Sequence, residues 1–181
     1  MKVNIDISNC FLKTERLIIR PWKNSDLDDL YEYAKVDGVG QMAGWMPHKS
    51  KEESSKILSM FIEGKETFAL EYNGKVIGSI EIEQYDEDVI PEFINKKGRE
   101  IGYVLSKEYW GMGLMPEAVK AVIDYCFNEV GLDLLICCHF LDNNQSKRVQ
   151  EKCGFKHYKF IEKDNKYGST HDKWLSILER K

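Results

Sequence analysis

Long apolar runs are missing from this chain. None approaches the roughly 20 residues that a membrane-spanning helix needs, so no transmembrane segment is expected. Met1 to Asn9 mix charges with short apolar side chains and do not read as a secretory leader. Cysteine is scarce and unpatterned: Cys10, Cys126, Cys137, Cys138 and Cys153 are odd in number and never spaced Cys-x-x-Cys, which argues against an oxidised scaffold. Cys137-Cys138-His139 crowds two thiols and an imidazole together. Neighbouring strand residues point to opposite faces, however, and no further Cys-His cluster completes four ligands, so no metal is expected and the thiols read as reduced and buried. A basic excess is lacking too. With 26 Lys and Arg against 30 Asp and Glu the net charge is -4, which disfavours generic nucleic-acid binding. No internal repeat and no low-complexity segment interrupts the chain. A hydrophobic share of 43% and a charged share of 31% are ordinary for a globular protein, and the 181 residues suit one domain, 1–181, that buries a core without staples. The cytoplasm is the expected compartment.

The most informative stretch runs from Glu100 to Gly131. Glu100 to Leu105 reads as a strand, and Ser106 to Trp110 turns into Gly111-Met112-Gly113, which opens a helix. Met115, Ala118, Val119, Val122, Ile123, Cys126, Phe127 and Val130 recur at three- and four-residue steps, so the spacing predicts a helix over Met115 to Val130 with one buried face. Pro116 falls in the first turn, where its missing N–H costs nothing, and Gly131 ends the helix. Strand, glycine turn and helix start together make an anion cradle: the first amides lack internal partners and the helix dipole is positive there. Phosphate is the expected guest.

Two familiar phosphate loops do not fit. A nucleoside-triphosphatase loop needs Lys followed by Ser or Thr after its last glycine, and Leu114-Met115 stand there. A dinucleotide fingerprint needs Gly or Ala where Pro116 stands, and no second strand-helix-strand unit follows. A turn that merely feeds a core helix stays open on these residues alone. A second stretch narrows the choice. Leu134 to Phe140 reads as a strand, and Asp142 to Phe155 as a capped basic helix ending at Gly154.

The remaining elements follow from punctuation and period. Phe11 to Arg20 reads as a first strand stopped by Pro21, and Asn24 or Ser25 caps a helix running to about Val36. Gly38, Gly40, Gly44 and Pro47 make a loop in which Met42, Trp45 and Met46 are unusually large, either packed on the core or lining a pocket. Ser50 to Gly64 reads as a helix. Thr67 to Tyr72 and Lys75 to Tyr85 read as a hairpin turning at Asn73-Gly74, with Ser79, Glu81 and Glu83 on one face and Val76, Gly78, Ile80 and Ile82 on the other. Asp86 to Lys97 reads as a polar insertion or flap. Lys156 to Ile161 and His171 to Ile177 close the chain as two antiparallel strands around the polar stretch Glu162 to Thr170. The order implies an α/β fold of the mixed α+β kind, a mostly antiparallel mixed sheet with helices on both faces.

Tyr109-Trp110-Gly111-Met112-Gly113 with Glu117-Ala118, then Asn143-x-x-Ser146 and Glu151-Lys152-Cys153-Gly154-Phe155, resemble the GNAT superfamily of acyl-coenzyme A N-acyltransferases. Thr14-Glu15-Arg16-Leu17 with Arg20-Pro21 resembles the opening of the branch that holds the ribosomal-protein N-terminal acetyltransferases. The resemblance implies a GNAT-like fold whose central strands splay to admit acetyl-coenzyme A, the co-substrate, and a primary amine as acceptor, either a protein N-terminus or a small molecule. It also implies pantetheine contacts from the backbone of Tyr103, Val104 and Leu105, and a pyrophosphate on the amides of Gly111, Met112, Gly113, Leu114 and Met115. Asn143 and Ser146 match positions at the pantetheine end, where Ser146 would protonate the leaving thiolate. Their plainer roles are a helix cap and a satisfied first turn. Lys147, Arg148 and Lys152 are candidates for the nucleotide's phosphates.

The chain departs from the family at two positions. Glu108 stands where many members have Gln or Arg, and Gln150 where others have a tyrosine acid, which leaves Ser146 or a bound water as the proton source. A base must take a proton from the ammonium before attack. Glu100, Glu83 and Glu81 are the strand carboxylates available, with Tyr103 as a further candidate. Nothing beside Cys137, Cys138 or Cys153 orients a thiolate, so direct transfer in a ternary complex is expected rather than a covalent acyl-enzyme. A noncatalytic acyl-coenzyme A-binding regulatory module is the rival reading, and the acceptor and the oligomeric state, a homodimer included, stay open.

Overall fold

A computed structural model describes residues 3–164 and 171–181. Its strands are β1 (Leu12–Lys13), β2 (Leu17–Pro21), β3 (Thr67–Tyr72), β4 (Lys75–Glu83), β5 (Gly98–Leu105), β6 (Leu134–Phe140), β7 (Lys156–Asp164) and β8 (His171–Glu179). They form a single sheet in the order β1-β2-β3-β4-β5-β6-β8-β7. Neighbours run antiparallel except β5 and β6, which run parallel. The helices are α1 (Leu27–Ala34), α2 (Lys51–Gly64), α3 (Leu114–Asp124) and α4 (Asn144–Lys152). α3 packs on one sheet face with Ile77, Ile80, Ile82, Ile101 and Leu135. α1 and α2 cover the other face through Leu30, Tyr33, Ala34 and Leu58 on Ala69 and Val76. The expected mixed sheet with helices on both faces is thus present.

The elements that match the sequence reading do so for the stated reasons. Asn73 and Gly74, at φ 50° and 80°, both take the left-handed conformation that a two-residue hairpin turn needs. Ser50 accepts from the Glu53 amide at 3.2 Å and starts α2. The polar insertion is pinned by its few apolar residues, with Ile90 fully buried against Tyr85, Leu134, Ile136 and Leu175.

Other elements differ. The single first strand is two, because the Thr14 hydroxyl accepts from the Leu17 amide at 3.0 Å and closes a turn between β1 and β2. Neither Asn24 nor Ser25 caps α1. A 3-10 turn, Asn24–Asp26, leads in instead, and the Asp26 carboxylate accepts from the Lys23 amide at 2.8 Å and from Arg20 Nη1 at 2.9 Å. A bulge between Leu70 and Glu71 in the β3–β4 ladder moves Val76 to the α1 side, away from Ile80 and Ile82. The helix predicted to reach Val130 is α only to Asp124, and Tyr125–Glu129 forms a π-helical segment. Of the polar stretch Glu162 to Thr170, residues 165–170 lie outside the described residues; β7 runs on to Asp164.

The central splay is present. β5 and β6 pair only at Gly98 with Leu134, Arg99 with Leu135 and Glu100 with Ile136. Beyond that point β5 stays with β4 as far as Leu105, and β6 stays with β8 as far as Phe140. Among the described residues no helix is long and apolar enough to cross a membrane, and no group of three or more His, Cys, Asp or Glu could hold a metal ion.

Arg20 anchors the α1 side. Its buried guanidinium holds Asp26 and also Glu71, at 2.6 Å. Removing one partner of such a pair strands the others in a low dielectric. Arg20→Met should therefore lower unfolding stability by about 3 kcal/mol, read from the midpoint of urea denaturation.

Candidate active site

Where β5 and β6 part, a cleft of about 730 Å³ opens through the molecule. One wall is β5 from Glu100 to Leu105, the glycine turn, the start of α3 and the start of α4. The loop after α1 and the inner face of α2 form the opposite wall. Of the residues singled out from sequence, Tyr103, Val104, Leu105, Gly111, Gly113, Leu114, Met115, Asn143, Ser146, Glu81, Glu83 and Glu100 line it. Met112 does not. Its side chain is turned out to solvent and its carbonyl accepts from Arg16 Nη1 at 2.9 Å.

Strand alternation decides which main-chain groups face the gap. Ser106 donates to Ile77 O at 2.7 Å, so the even-numbered residues of β5 spend their amides and carbonyls on β4. Tyr103 and Leu105 turn theirs toward the gap, while Val104 meets the cleft through its side chain. The Leu105 carbonyl is taken by Trp110 Nε1 at 2.7 Å, which ties the strand end to the turn that follows.

Gly111 and Gly113 sit at φ 79° and 77°, a region that side chains strain. A Cβ built on Gly111 would meet nothing, so the backbone there is open to a guest. The first bond of α3 is Glu117 N to Gly113 O at 3.4 Å. No acceptor among the described residues meets the amides of Gly111 to Met115, a row of donors at the positive end of a buried helix. A diphosphate suits this cradle. Arg148 and Lys152 stand along the same wall, while Lys147 does not line it.

The turn between β1 and β2 fixes the cradle from outside. Arg16 Nε donates to Glu117 Oε2 at 2.7 Å while Nη1 holds Met112 O. The Arg16 amide and the Thr14 hydroxyl donate to Glu117 Oε1 at 2.8 and 2.6 Å. Burial opposes ionisation of Glu117, but these donors outweigh it and hold its carboxyl below the usual range. Thr14-Glu15-Arg16-Leu17 is thus a docking turn for the glycine loop.

On the same side, Tyr103 Oη lies 2.9 Å from Ser146 Oγ and donates to Ser146 O at 3.2 Å. Gln150 Nε2 donates to Ser146 Oγ at 3.4 Å, and Gln150 Oε1 lies 3.1 Å from His139 Nδ1. Burial pushes the Tyr103 phenol well up, which favours its protonated form. Asn143 accepts from the Ser146 amide at 3.0 Å, the cap read from sequence, and donates from Nδ2 to Met42 O at 3.1 Å.

Glu83 stands directly opposite Glu100 across the β4–β5 ladder, and Glu81 opposite Gly102. Two carboxylates therefore share one face of the cleft at cross-strand distance, about 5 Å between Cβ atoms. Burial drives the thiols of Cys137 and Cys138 well up and that of Cys153 to about 11, so none is a ready nucleophile.

Of the large loop residues left open between core and pocket, Met42 and Trp45 line the far wall and Met46 does not; sequence reasoning missed His48. His48 lines the cleft, its Nδ1 lies 2.8 Å from Ser54 Oγ, and its ring centroid is 5.1 Å from that of Trp45. Burial lowers its pKa against the opposing pull of Glu53, which favours the neutral imidazole. A lone histidine after a proline carries no signal of its own. The size of Met42 and Trp45 was the one available hint.

A family model described as Acetyltransferase (GNAT) domain matches residues 16–156. The chain is 31% identical over 159 residues to the uncharacterized protein YkkB of Bacillus subtilis (strain 168), which covers 87% of this chain and 81% of that protein. The crystal structure of an acetyltransferase of the GNAT family from Bacillus anthracis superposes with a TM-score of 0.81 at 24% identity, over 93% of this chain and 98% of that one. RimL, a ribosomal-protein alpha-N acetyltransferase in complex with coenzyme A, superposes at 0.78 with 16% identity, over 93% and 97%.

Arg16→Ala should release the Met112 carbonyl and Glu117 Oε2 without touching the core, while Glu117 Oε1 keeps the Thr14 hydroxyl and the amide of residue 16. The expected outcome is an approximately ten-fold weaker affinity for coenzyme A, about 1.4 kcal/mol, measured by calorimetry.

Proposed function

The chain belongs to the GNAT acetyltransferase family and is an acetyl-coenzyme A-dependent N-acetyltransferase, and we propose that it works by direct attack in a ternary complex on the α-amine of a protein N-terminus. The observation that carries this reading is the three-pair ladder between β5 and β6, which opens beside the unbonded amides of Gly111 to Met115. Residues 1–181 act as one catalytic domain, and the cytoplasm is its place of work.

The amides of Gly111, Met112, Gly113, Leu114 and Met115 hold the diphosphate, with Arg148 and Lys152 beside it. The stretch Tyr103, Val104 and Leu105 supports the pantetheine arm, and Asn143 and Ser146 sit at its far end. When bound, acetyl-coenzyme A supplies an activated acyl carbon. Glu100, with Glu83 opposite, attracts the acceptor's ammonium and takes one proton from it, leaving a neutral nitrogen to attack. Main-chain amides bordering the gap stabilise the oxyanion. Ser146 gives a proton to the departing sulfur.

The acceptor assignment follows the N-terminal docking turn and the likeness to RimL, whose name describes alpha-N acetylation of a ribosomal protein. The far wall suits a chain rather than a compact amine. Met42 and Met60 line the cleft and remain 41% and 64% exposed, and flexible thioethers adapt to varied side chains.

Release of free thiol from acetyl-coenzyme A, followed over a panel of peptides and small amines, tests the assignment. Peptide α-amines should exceed polyamines and aminoglycosides by about ten-fold in kcat/KM, and Glu100→Gln should lower kcat on the order of 100-fold. Coenzyme A binding with no transfer to any amine would favour the noncatalytic module instead.

A further inference from the structure

The acid position on α4 holds Gln150, yet a tyrosine hydroxyl from β5 meets Ser146 and lies close to Gln150. We propose that Tyr103 is a positioning residue that acts through Ser146 and replaces the proton which Ser146 gives to the leaving sulfur. The inference rests on the acetyltransferase reading and deepens it.

The hydrogen bonds allow two arrangements of the same atoms. A hydroxyl donates one proton and accepts two. At rest, Gln150 Nε2 and the hydroxyl pair saturate one another: Ser146 Oγ donates to Tyr103 Oη at 2.9 Å, and Tyr103 Oη donates to Ser146 O at 3.2 Å. Rotating two hydroxyl hydrogens gives the second arrangement, in which Tyr103 Oη donates to Ser146 Oγ and Ser146 Oγ donates into the cleft. No heavy atom moves. His139 and Gln150 hold the geometry: the imidazole Nδ1 meets Gln150 Oε1 at 3.1 Å, which leaves the amide NH₂ facing Ser146. Cys137 on β6 and Gln150 on α4 are the other polar groups close to the phenol.

Acidity explains why a serine needs this backing. An isolated aliphatic hydroxyl, about as weakly acidic as water, is a poor proton source for a thiolate whose ordinary pKa is about 8.5. A phenol, ordinarily about 10, is far closer. Burial raises the Tyr103 phenol, and desolvation in the cleft acts in the same direction on a leaving thiol. As the carbon–sulfur bond breaks, its electron pair goes to sulfur, and Ser146 transfers its hydroxyl proton there to form S–H. Tyr103 passes its own proton to Ser146 Oγ. The phenolate then regains a proton from water, which carries one of the two that the acceptor's ammonium has lost.

Tyr103→Phe keeps the ring and removes the hydroxyl. Its affinity for coenzyme A, by calorimetry, should stay within about two-fold of wild type. The thiolate fraction of bound coenzyme A at mildly alkaline pH, read from ultraviolet absorbance, should fall about three-fold, because a hydrogen-bond chain loses its terminal donor. Fluorinating the Tyr103 ring keeps fold and hydroxyl, makes the phenol a stronger donor, and should raise that fraction. With amine present, Tyr103→Phe should lower kcat about 100-fold at unchanged KM, and adding Ser146→Ala should cost no more than either change alone, as expected of one working unit. Normal binding with an unmoved thiolate fraction, or additive losses in the double variant, overturns the inference alone. Failure of the wild-type protein to bind coenzyme A overturns it together with the acetyltransferase reading.

Discussion

The structure depends on a ladder that stops early. Three parallel residue pairs join β5 to β6, and there the two halves of the sheet separate. A strand edge inside a protein is normally a liability, because each unpaired amide or carbonyl buried without a partner costs free energy. Here the gap becomes a demand for a ligand with polar groups along its length. Tyr103 and Leu105 turn main-chain groups into it, and the glycine turn at its end presents a row of amides. The outer strands keep the parting sharp: β4 follows β5 to its end and β8 follows β6, so neither half can relax toward the other.

Around this gap the two faces divide the labour. The α3 and α4 side supplies the cradle, the Tyr103–Ser146 pair and a wall of cations. The α1 and α2 side supplies His48, Trp45 and the adaptable methionines. Glu83 and Glu100 look toward the second side, and Tyr103 toward the first. In the proposed mechanism, a proton taken from the nitrogen and a proton given to the sulfur would be handled on opposite faces of one strand. That division needs nothing more than the period-two alternation of β5.

Much of this was legible because it is local. Asn73-Gly74 allows one turn type, the Met115 to Ile123 periodicity one buried face, and Gly111-Met112-Gly113 before Pro116 one kind of helix start. What escaped is what depends on distant partners or on small geometric accidents. A threonine hydroxyl split the first strand. A bulge of one residue moved Val76 to the other core. The π segment at Tyr125–Glu129 has the same apolar period as the helix it extends, so nothing in that pattern could mark it. Arg16 read as part of a motif, but its role came only from Glu117, 101 residues away. Tyr103 and Ser146 were each singled out for separate contacts, and only the fold showed them to be neighbours across 43 positions.

Asn143 spans the two faces with a single side chain. Its oxygen closes the first turn of α4, and its nitrogen holds the Met42 carbonyl of the loop after α1. A shift of the Asn143 side chain at one contact therefore alters the other, on the opposite side of the same cleft. By reciprocity, if an occupant on one side of the cleft shifts that amide, the factor by which it changes the affinity on the other side equals the factor it experiences in return.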